Sequence, residues 1–269
     1  MVLLAAAGLY AALRHVAPAL LPGSSSFCDV TANGQVIPLG TGQAGIASTI
    51  AGVAQQRALP GRAVTVAYAT AMQESKLTNL HYGDQDSVGI FQQRPSQGWG
   101  STRQLEDPVY ATTKFFAALS AVPGYLHLPV YKAAQAVQHS AYGPAYQQYA
   151  QMAADMSSAF TGRSPHAVWC WFSDPARKSD LTAAATQLRR SFGPLAVRTA
   201  GDPTLKVRVP GIAHGWAVAA WLVSHASAYG IREVRYRGYQ WTFAKGRLGW
   251  TRGRLRSHAP APAGTIVLG

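Results

Sequence analysis

The sequence predicts an α+β protein of two units, a mainly helical unit with one small β-hairpin and a smaller unit that mixes helices with strands. Two observations lead to this fold class. Between residues 45 and 160, apolar residues recur at helical spacing in segments separated by Pro and Gly. After residue 195, short segments rich in Val, Ile and aromatic residues alternate with helical ones, as in α+β folds.

Helices are expected where the apolar pattern is longest. They are the segments 45–56, 63–76, 108–122, 129–140 and 145–160 in the first unit, and 181–192 and 215–230 in the second. YGDQDSVG (82–89) has the composition of a hairpin turn, and GIFQQ (89–93) is predicted to be a short strand. Strands of the second unit are expected at 195–200, 205–209, 231–243 and 264–268.

The start of the chain predicts export. Residues 1–13 form an apolar run that is short for a membrane span of about 20 residues, but suits a signal peptide or a weak membrane anchor. A buried helix is the disfavoured alternative, because no polar face recurs at helical spacing. We therefore divide the chain into a leader or anchor (1–27), a first unit (28–172) and a second unit (173–269), and expect an extracytoplasmic protein, secreted or held at the cell envelope.

The two cysteines, Cys28 and Cys170, lie at the two ends of the first unit. In an oxidising compartment they are expected to form a disulfide, and two free buried thiols are the alternative. Neither lies in a Cys-x-x-Cys or Cys/His spacing that would indicate a metal site. The sequence therefore predicts neither a metal nor a cofactor.

Positive charge is concentrated in the second unit. Residues 1–160 carry 8 Lys and Arg against 7 Asp and Glu, whereas residues 161–269 carry 16 against 4. Such an excess favours a polyanionic partner, such as an acidic wall polymer, an anionic membrane surface or nucleic acid. Charge alone does not choose among these partners. The absence of a nucleic-acid-binding motif and the expected export disfavour nucleic acid, and anionic wall polymers are retained as a candidate partner. A solvated basic surface without a partner is the alternative.

Glu74 lies near the C-terminal end of the expected buried helix 63–76, in a chain that is poor in acids. The partial negative charge of a helix C terminus and apolar surroundings both favour the protonated form of such a carboxyl. Glycoside cleavage requires a protonated carboxyl, because an acid must protonate the oxygen between two sugars. Taken alone, a glutamate at a helix end is more often an ordinary surface residue.

The residues around Glu74 resemble a known family. QES (73–75), followed by SVGIFQQRP (87–95), is similar to the signature of the goose-type lysozyme and soluble lytic transglycosylase superfamily. With VQHSAY (137–142), it most resembles the lysozyme-like domains of exported actinobacterial proteins. The resemblance covers about residues 40–162. It implies a lysozyme-like fold and cleavage of the bond between N-acetylmuramic acid and N-acetylglucosamine in peptidoglycan.

The resemblance also implies roles for individual residues. Glu74 matches the catalytic acid, which would later act as the base. Tyr142 lies where the family often has a tyrosine that faces the glutamate, and Tyr146 is an equal candidate. The residues that would line the substrate groove or bind sugar through their amides are Ser75, Gly89, Ile90, Phe91, Gln92 and Gln93.

A second carboxylate would decide the outcome of the reaction. Asp84 and Asp86 are the candidates for a base that activates water, although Gly-Asp-x-Asp-Ser is also good turn chemistry. Without a base, the 6-hydroxyl of the sugar can displace the leaving group, as in the lytic transglycosylases. Trp99, in a Gly-Trp-Gly loop, could stack on a sugar ring or pack in the core.

The second unit loosely resembles another family. WLVSHASAYGIREVRYRGYQW (221–241) is similar to the end of zinc peptidases of the D-alanyl-D-alanine carboxypeptidase type. Those enzymes hold zinc with two His and one Asp, but this chain has no matching aspartate and no His-x-His pair near its end. His214, His225 and His258 are therefore not expected to bind metal, and the unit is expected to bind or position rather than catalyse.

These features lead to one hypothesis and one main rival. The hypothesis is a peptidoglycan-cleaving glycosidase, a lytic transglycosylase or a muramidase, with Glu74 as its general acid and base. The rival is a non-catalytic protein that binds peptidoglycan as a scaffold in a secretion or conjugation apparatus. Turnover of peptidoglycan separates the two.

Overall fold

The structure is a computed structural model that describes residues 25–139, 143–201, 204–252 and 264–269. The expected leader therefore lies almost wholly outside the described residues, and so do Tyr142 and His258. The α+β fold class is confirmed, with helices and two small antiparallel sheets.

The first sheet was not predicted from the sequence. Its strands are β1 (Phe27–Ala32), β2 (Gln35–Gly40) and β3 (Val168–Trp171), with β1 in the middle. Asn33 and Gly34 form the turn between β1 and β2, with φ of 51° and 75°, which suits a tight hairpin. Cys28 on β1 lies opposite Cys170 on β3, and a disulfide joins them. The sheet therefore ties the start of the described chain to the segment that follows residue 160.

Six α-helices lie between β2 and β3 among the described residues of the first unit. They are α1 (Thr41–Gln56), α2 (Gly61–Ser75), α3 (Thr102–Leu105), α4 (Pro108–Ala121), α5 (Val130–Gln138) and α6 (Ala150–Phe160). Ten of the 15 residues of α2 are buried, as its small and apolar sequence predicts. The expected helix 145–160 is divided, because a 3₁₀ segment (Gly143–Tyr149) precedes α6.

The second unit contains a six-stranded antiparallel sheet and three helices among its described residues. The helices are α7 (Leu181–Phe192), α8 (Ile212–Ser224) and α9 (Ala226–Tyr229). The strands are β4 (Ala196–Thr199), β5 (Leu205–Arg208), β6 (Glu233–Tyr236), β7 (Tyr239–Thr242), β8 (Thr251–Arg252) and β9 (Thr265–Leu268), in the order β4-β5-β9-β6-β7-β8. Helix α8 packs on β6 and β9, and Trp216 meets Tyr236 edge-on at 5.1 Å between ring centroids.

The two units pack against each other through α1 and β3. Helix α1 contacts both α7 and α8, and the buried hydroxyls of Ser48 and Ser224 are 2.8 Å apart. The indole nitrogen of Trp241 donates to the carbonyl of Cys170 at 3.0 Å, so a buried polar group of the second unit is satisfied by the first. Buried apolar residues from both units form one continuous cluster.

The segment after α2 differs from its prediction. GIFQQ (89–93) forms a turn rather than a strand. Among the described residues, the β-pairing of this segment consists of a single bridge between Val88 and Gln93. Positive φ values at Gly89 (79°) and Gln92 (47°) turn the chain instead of extending it. Gly89 is required at its position, because a Cβ atom there would lie 2.4 Å from the carbonyl oxygen of Leu105.

Candidate active site

Glu74 lies in the last turn of the buried helix α2, and Glu74 itself is partly exposed to solvent. The helix ends directly after it, because Lys76 and Leu77 adopt positive φ values of 55° and 56°. Leu77 is fully buried, and its N–H donates to the carbonyl of Ala71 at 3.1 Å. A strained, left-handed backbone at non-glycine residues persists where the surrounding structure requires it, which is often the case at functional sites.

The hydroxyl of Tyr146 donates a hydrogen bond to Oε1 of Glu74 at 2.6 Å. Tyr146 is 1% exposed and comes from the 3₁₀ segment that packs beside α2. The bond from Tyr146 is the one hydrogen bond that the Glu74 carboxyl makes with the described residues, and Oε2 takes no part in it. One oxygen is thus fixed by a buried donor, and the other makes no hydrogen bond to a described residue.

Ser75 joins the end of α2 to the loop that carries the motif. Its buried hydroxyl lies 2.8 Å from the carbonyl oxygen of Ile90 and accepts from the N–H of Thr78 at 3.2 Å. The amide of Gln138 on α5 donates to the carbonyl of Phe91 at 2.7 Å. These bonds hold the backbone of residues 90 and 91 against the helix end that bears Glu74.

The side chains of Ile90 and Phe91 are fully buried. Phe91 stacks on Phe115 of α4, with ring centroids 4.3 Å apart and an interplanar angle of 10°. These side chains therefore pack in the core rather than line an open groove, and the backbone carbonyls of both residues accept the bonds that hold the loop.

The two glutamines of the motif have different surroundings. The amide of Gln92 donates to the carbonyl of Gly89 at 3.1 Å, and its oxygen accepts from the hydroxyl of Ser87 at 3.1 Å. Gly83 leaves room for this amide, because a Cβ atom there would lie 1.9 Å from Gln92 Oε1. Gln93 is 2% exposed, and its amide atoms have no hydrogen-bond partner among the described residues. Gln92 therefore stabilises its own loop.

The carboxylate of Asp86 forms hydrogen bonds within the same loop. Its carboxylate accepts from Arg94 Nε at 2.8 Å and from the backbone N–H and hydroxyl of Ser96 at 2.7 and 2.9 Å. The bonds from Arg94 and from the Ser96 backbone lower the pKa of Asp86 to about 2. Asp84 is exposed, and its carbonyl accepts from the N–H of Ser87 at 3.0 Å. Both aspartates thus take part in the turn that the Gly-Asp-x-Asp-Ser sequence favours.

Trp99 is partly buried and packs against the apolar core. Its carbonyl accepts from the hydroxyl of Tyr110 at 3.3 Å, which holds the Gly-Trp-Gly loop against α4. Tyr142 cannot be placed relative to Glu74, since it lies outside the described residues. Of the two tyrosine candidates, Tyr146 is the one seen at the glutamate.

Three contacts near Glu74 were not expected from the sequence. Gln43 of α1 donates to the carbonyl of Lys76 at 2.7 Å, and so satisfies a carbonyl at the end of α2. The ammonium of Lys76 bonds to the hydroxyl of Tyr149, and Gln148 donates to Gln73 at 3.2 Å. Gln43 also accepts from the N–H of Gly40, which is a capping-box contact, but no local pattern in the sequence pairs it with Lys76.

Within the described residues, no group of three or more His, Cys, Asp and Glu side chains could hold a metal ion. His214 and His225 are partly buried, and burial lowers the pKa of both, to about 4 for His225. Burial thus favours the neutral form of both His214 and His225. None of the helices in the described ranges has the length and apolar character to cross a membrane.

Comparison with known proteins adds no support for a family or a function beyond the motif of residues 73–95. No protein-family model matches the chain, and no curated protein is significantly similar to it. The resemblance of residues 73–95 to the goose-type lysozymes and soluble lytic transglycosylases therefore rests on those residues themselves.

Proposed function

We propose that the chain is a peptidoglycan-cleaving glycosidase that acts on the bond between N-acetylmuramic acid and N-acetylglucosamine, with Glu74 as general acid and base. The observation that carries this proposal is the Glu74 carboxyl at the end of a buried helix. One of its oxygens is fixed by Tyr146 at 2.6 Å, and the other makes no hydrogen bond to a described residue. The resemblance of residues 73–95 to peptidoglycan-cleaving enzymes supports peptidoglycan as the substrate.

The reaction needs two proton transfers at Glu74. The protonated carboxyl gives its proton from Oε2 to the glycosidic oxygen, the bond between that oxygen and the sugar carbon breaks, and positive charge develops on the ring. The carboxylate then takes a proton from the attacking hydroxyl. Throughout, the bond from Tyr146 to Oε1 keeps the carboxyl oriented and stabilises the carboxylate formed in the first step.

The nucleophile is inferred from the surroundings of the aspartates. Asp86 has its oxygens occupied by Arg94 and Ser96, and its low pKa makes it a poor base near neutral pH. Asp84 lies on the exposed side of the turn. These observations favour attack by the 6-hydroxyl of the muramic acid residue, which gives a 1,6-anhydro product, over attack by water.

The disulfide between Cys28 and Cys170 supports the location that this substrate requires. Peptidoglycan lies outside the cytoplasm, and structural disulfides persist mainly in oxidising compartments. An extracytoplasmic enzyme of the cell envelope is therefore part of the proposal.

Product analysis tests the proposal. The purified full chain is incubated with peptidoglycan, and the released fragments are identified by mass spectrometry. We expect 1,6-anhydro-muropeptides. Fragments with reducing ends would instead identify a hydrolase and make Asp84 the candidate base. Firm binding without any released fragment would overturn the proposal in favour of a scaffold that binds glycan.

A further inference from the structure

The six-stranded sheet has one polar face, and its charges lie in register. Paired residues cross all six strands in a single row, in the order Arg198, Lys206, Val267, Arg235, Gln240 and Thr251. Arg208 lies on the same face two residues after Lys206, because side chains alternate along a strand. We call Arg198, Lys206, Arg208 and Arg235 the basic sheet face.

The opposite face of this sheet is the one that packs in the core. Its residues Val207, Ile266, Leu268, Val234, Tyr236 and Trp241 are all buried. On the basic sheet face, by contrast, Arg198, Lys206 and Arg208 are exposed. The part of this face formed by β4 and β5 is therefore open to solvent, whereas Val267 and Arg235 farther along the row are buried or partly buried.

The cations on this face are largely unneutralised. None of the exposed cations Arg198, Lys206 and Arg208 forms an ion pair with a described residue. Glu233 is the one acid among the described strand residues of this face, and it lies 3.6 Å from Arg235. Arg235 Nε is buried and has no hydrogen-bond partner in the described chain. The face thus presents three exposed cations that form no ion pair with a described residue, and the one carboxylate, Glu233, lies beside the partly buried Arg235.

The spacing of these cations suits an extended polyanion. Neighbouring strands lie about 4.8 Å apart, so Arg198 and Arg235, separated by three strand spacings, lie about 14 Å apart. Along β5, Lys206 and Arg208 are about 7 Å apart. Val267, between Lys206 and Arg235 in the row, is 5% exposed, so the exposed cations lie on the β4–β5 side of the row.

We propose that the basic sheet face binds a flexible polymer that carries phosphate groups and lacks aromatic bases. Proteins that bind single-stranded nucleic acid stack bases on aromatic side chains. The described strand residues of this face include no aromatic side chain, since the aromatic residues of β6 and β7 lie on the other face. A phosphate polymer without bases needs only the cations. This inference goes beyond the proposed cleavage reaction and does not depend on Glu74.

Binding of inorganic polyphosphate of defined length to the full chain tests the proposal. Affinity is measured by fluorescence anisotropy at several salt concentrations. We expect Arg198→Ala/Lys206→Ala/Arg208→Ala to weaken binding by about ten-fold or more, and to reduce the slope of log affinity against log salt by about 2–3, by analogy with about one per phosphate contact in nucleic-acid complexes.

A matched control removes the same charge elsewhere. Arg57→Ala/Arg103→Ala/Lys132→Ala also removes three exposed cations, but from the first unit, and should leave affinity and slope close to wild type. Equal losses in both triple variants, or no binding of polyphosphate at low salt, would overturn the proposal. Tighter binding of single-stranded oligothymidylate of equal charge would overturn the choice of polymer. Glu74→Gln should bind polyphosphate normally, so failure here and failure of the cleavage reaction are distinguishable.

Discussion

The hydroxyl of Tyr146 lies 2.6 Å from Oε1 of Glu74, although 72 residues separate the two in the chain. The contact joins the end of helix α2 to a 3₁₀ segment that packs against it. Because Tyr146 is buried and Glu74 is partly exposed, the tyrosine fixes the carboxyl from the core side. The site is therefore oriented by tertiary packing rather than by the helix alone.

Tyr146→Phe tests the role of this hydrogen bond. The variant keeps the buried ring and removes the hydroxyl, so we expect kcat for peptidoglycan cleavage to fall by about ten- to a hundred-fold with little change in KM. The pH profile of kcat should also shift, because the hydroxyl stabilises the carboxylate that forms during the reaction. Steady-state kinetics between pH 4 and 8 measure both effects. A lower kcat with an unchanged pH profile would indicate a merely structural role.

Ser75→Ala tests the link between α2 and the motif loop. The change removes a buried hydroxyl and leaves the carbonyl of Ile90 without that donor, so we expect the free energy of unfolding to fall by about 1–3 kcal/mol. Urea unfolding measures this loss. Ser26→Ala, which removes an exposed contact to Ser173, is the control and should cost well below about 1 kcal/mol. Equal costs in the two variants would show that Ser75 does not anchor the loop.

Removal of the disulfide tests how the first sheet is stabilised. The bond between Cys28 and Cys170 spans 142 positions of sequence, so in the unfolded chain it constrains a long loop. We expect Cys28→Ala/Cys170→Ala to lower the free energy of unfolding by about 2–5 kcal/mol, measured by urea unfolding without reductant. If wild type and variant unfold at the same urea concentration, the disulfide contributes no net stability.

His225 predicts a dependence of stability on pH. Its ring stacks on Trp221, with centroids 4.0 Å apart, and burial lowers its pKa from 6.5 to about 4. The unfolded state therefore binds more protons between these values. The contribution of His225 to stability is complete above about pH 6.5 and is lost as the pH falls toward 4, by on the order of 3 kcal/mol.

His225→Phe isolates this contribution, because phenylalanine can stack on Trp221 and does not titrate. The substitution does not remove the hydrogen bond from the backbone N–H of residue 225 to the carbonyl of Trp221, which is 3.0 Å long. Urea unfolding between pH 4.5 and 7.5 should show a smaller loss of stability in the variant than in wild type. The low pKa of Asp86 affects stability only below about pH 4, outside this range. Parallel pH curves for the two proteins would contradict the role of His225.

The helices were largely predictable, because their apolar period is local information. Helix 181–192 agrees with its predicted bounds, and the burial of α2 follows from its small and apolar residues. The first sheet was missed because its edge strand β2 is mostly exposed and β3 pairs across a long sequence separation. Local pattern carries little information about such pairing.

Around the candidate site, the contact between Glu74 and Tyr146 was predictable only in part. The sequence motif led to Glu74 as the candidate acid, and Tyr146, one of two tyrosine candidates, is hydrogen-bonded to it. The amide of Gln92 and the carboxylate of Asp86 instead hold the motif loop, which depends on turns at Gly89 and Gln92 that were expected to be a strand. Bonds such as Ser75 to Ile90 involve backbone carbonyls, which every residue has, so residue identity does not indicate them.

The most direct test of the central claim is the turnover of Glu74→Gln on purified peptidoglycan. The amide keeps the shape of the side chain and cannot exchange the proton, so the rate of fragment release should fall by at least about a hundred-fold, with stability and glycan binding retained. Glu106→Gln, a partly exposed glutamate that contacts His81, is the matched control and should keep the wild-type rate. Wild-type turnover by Glu74→Gln would contradict the assignment of Glu74 as the general acid.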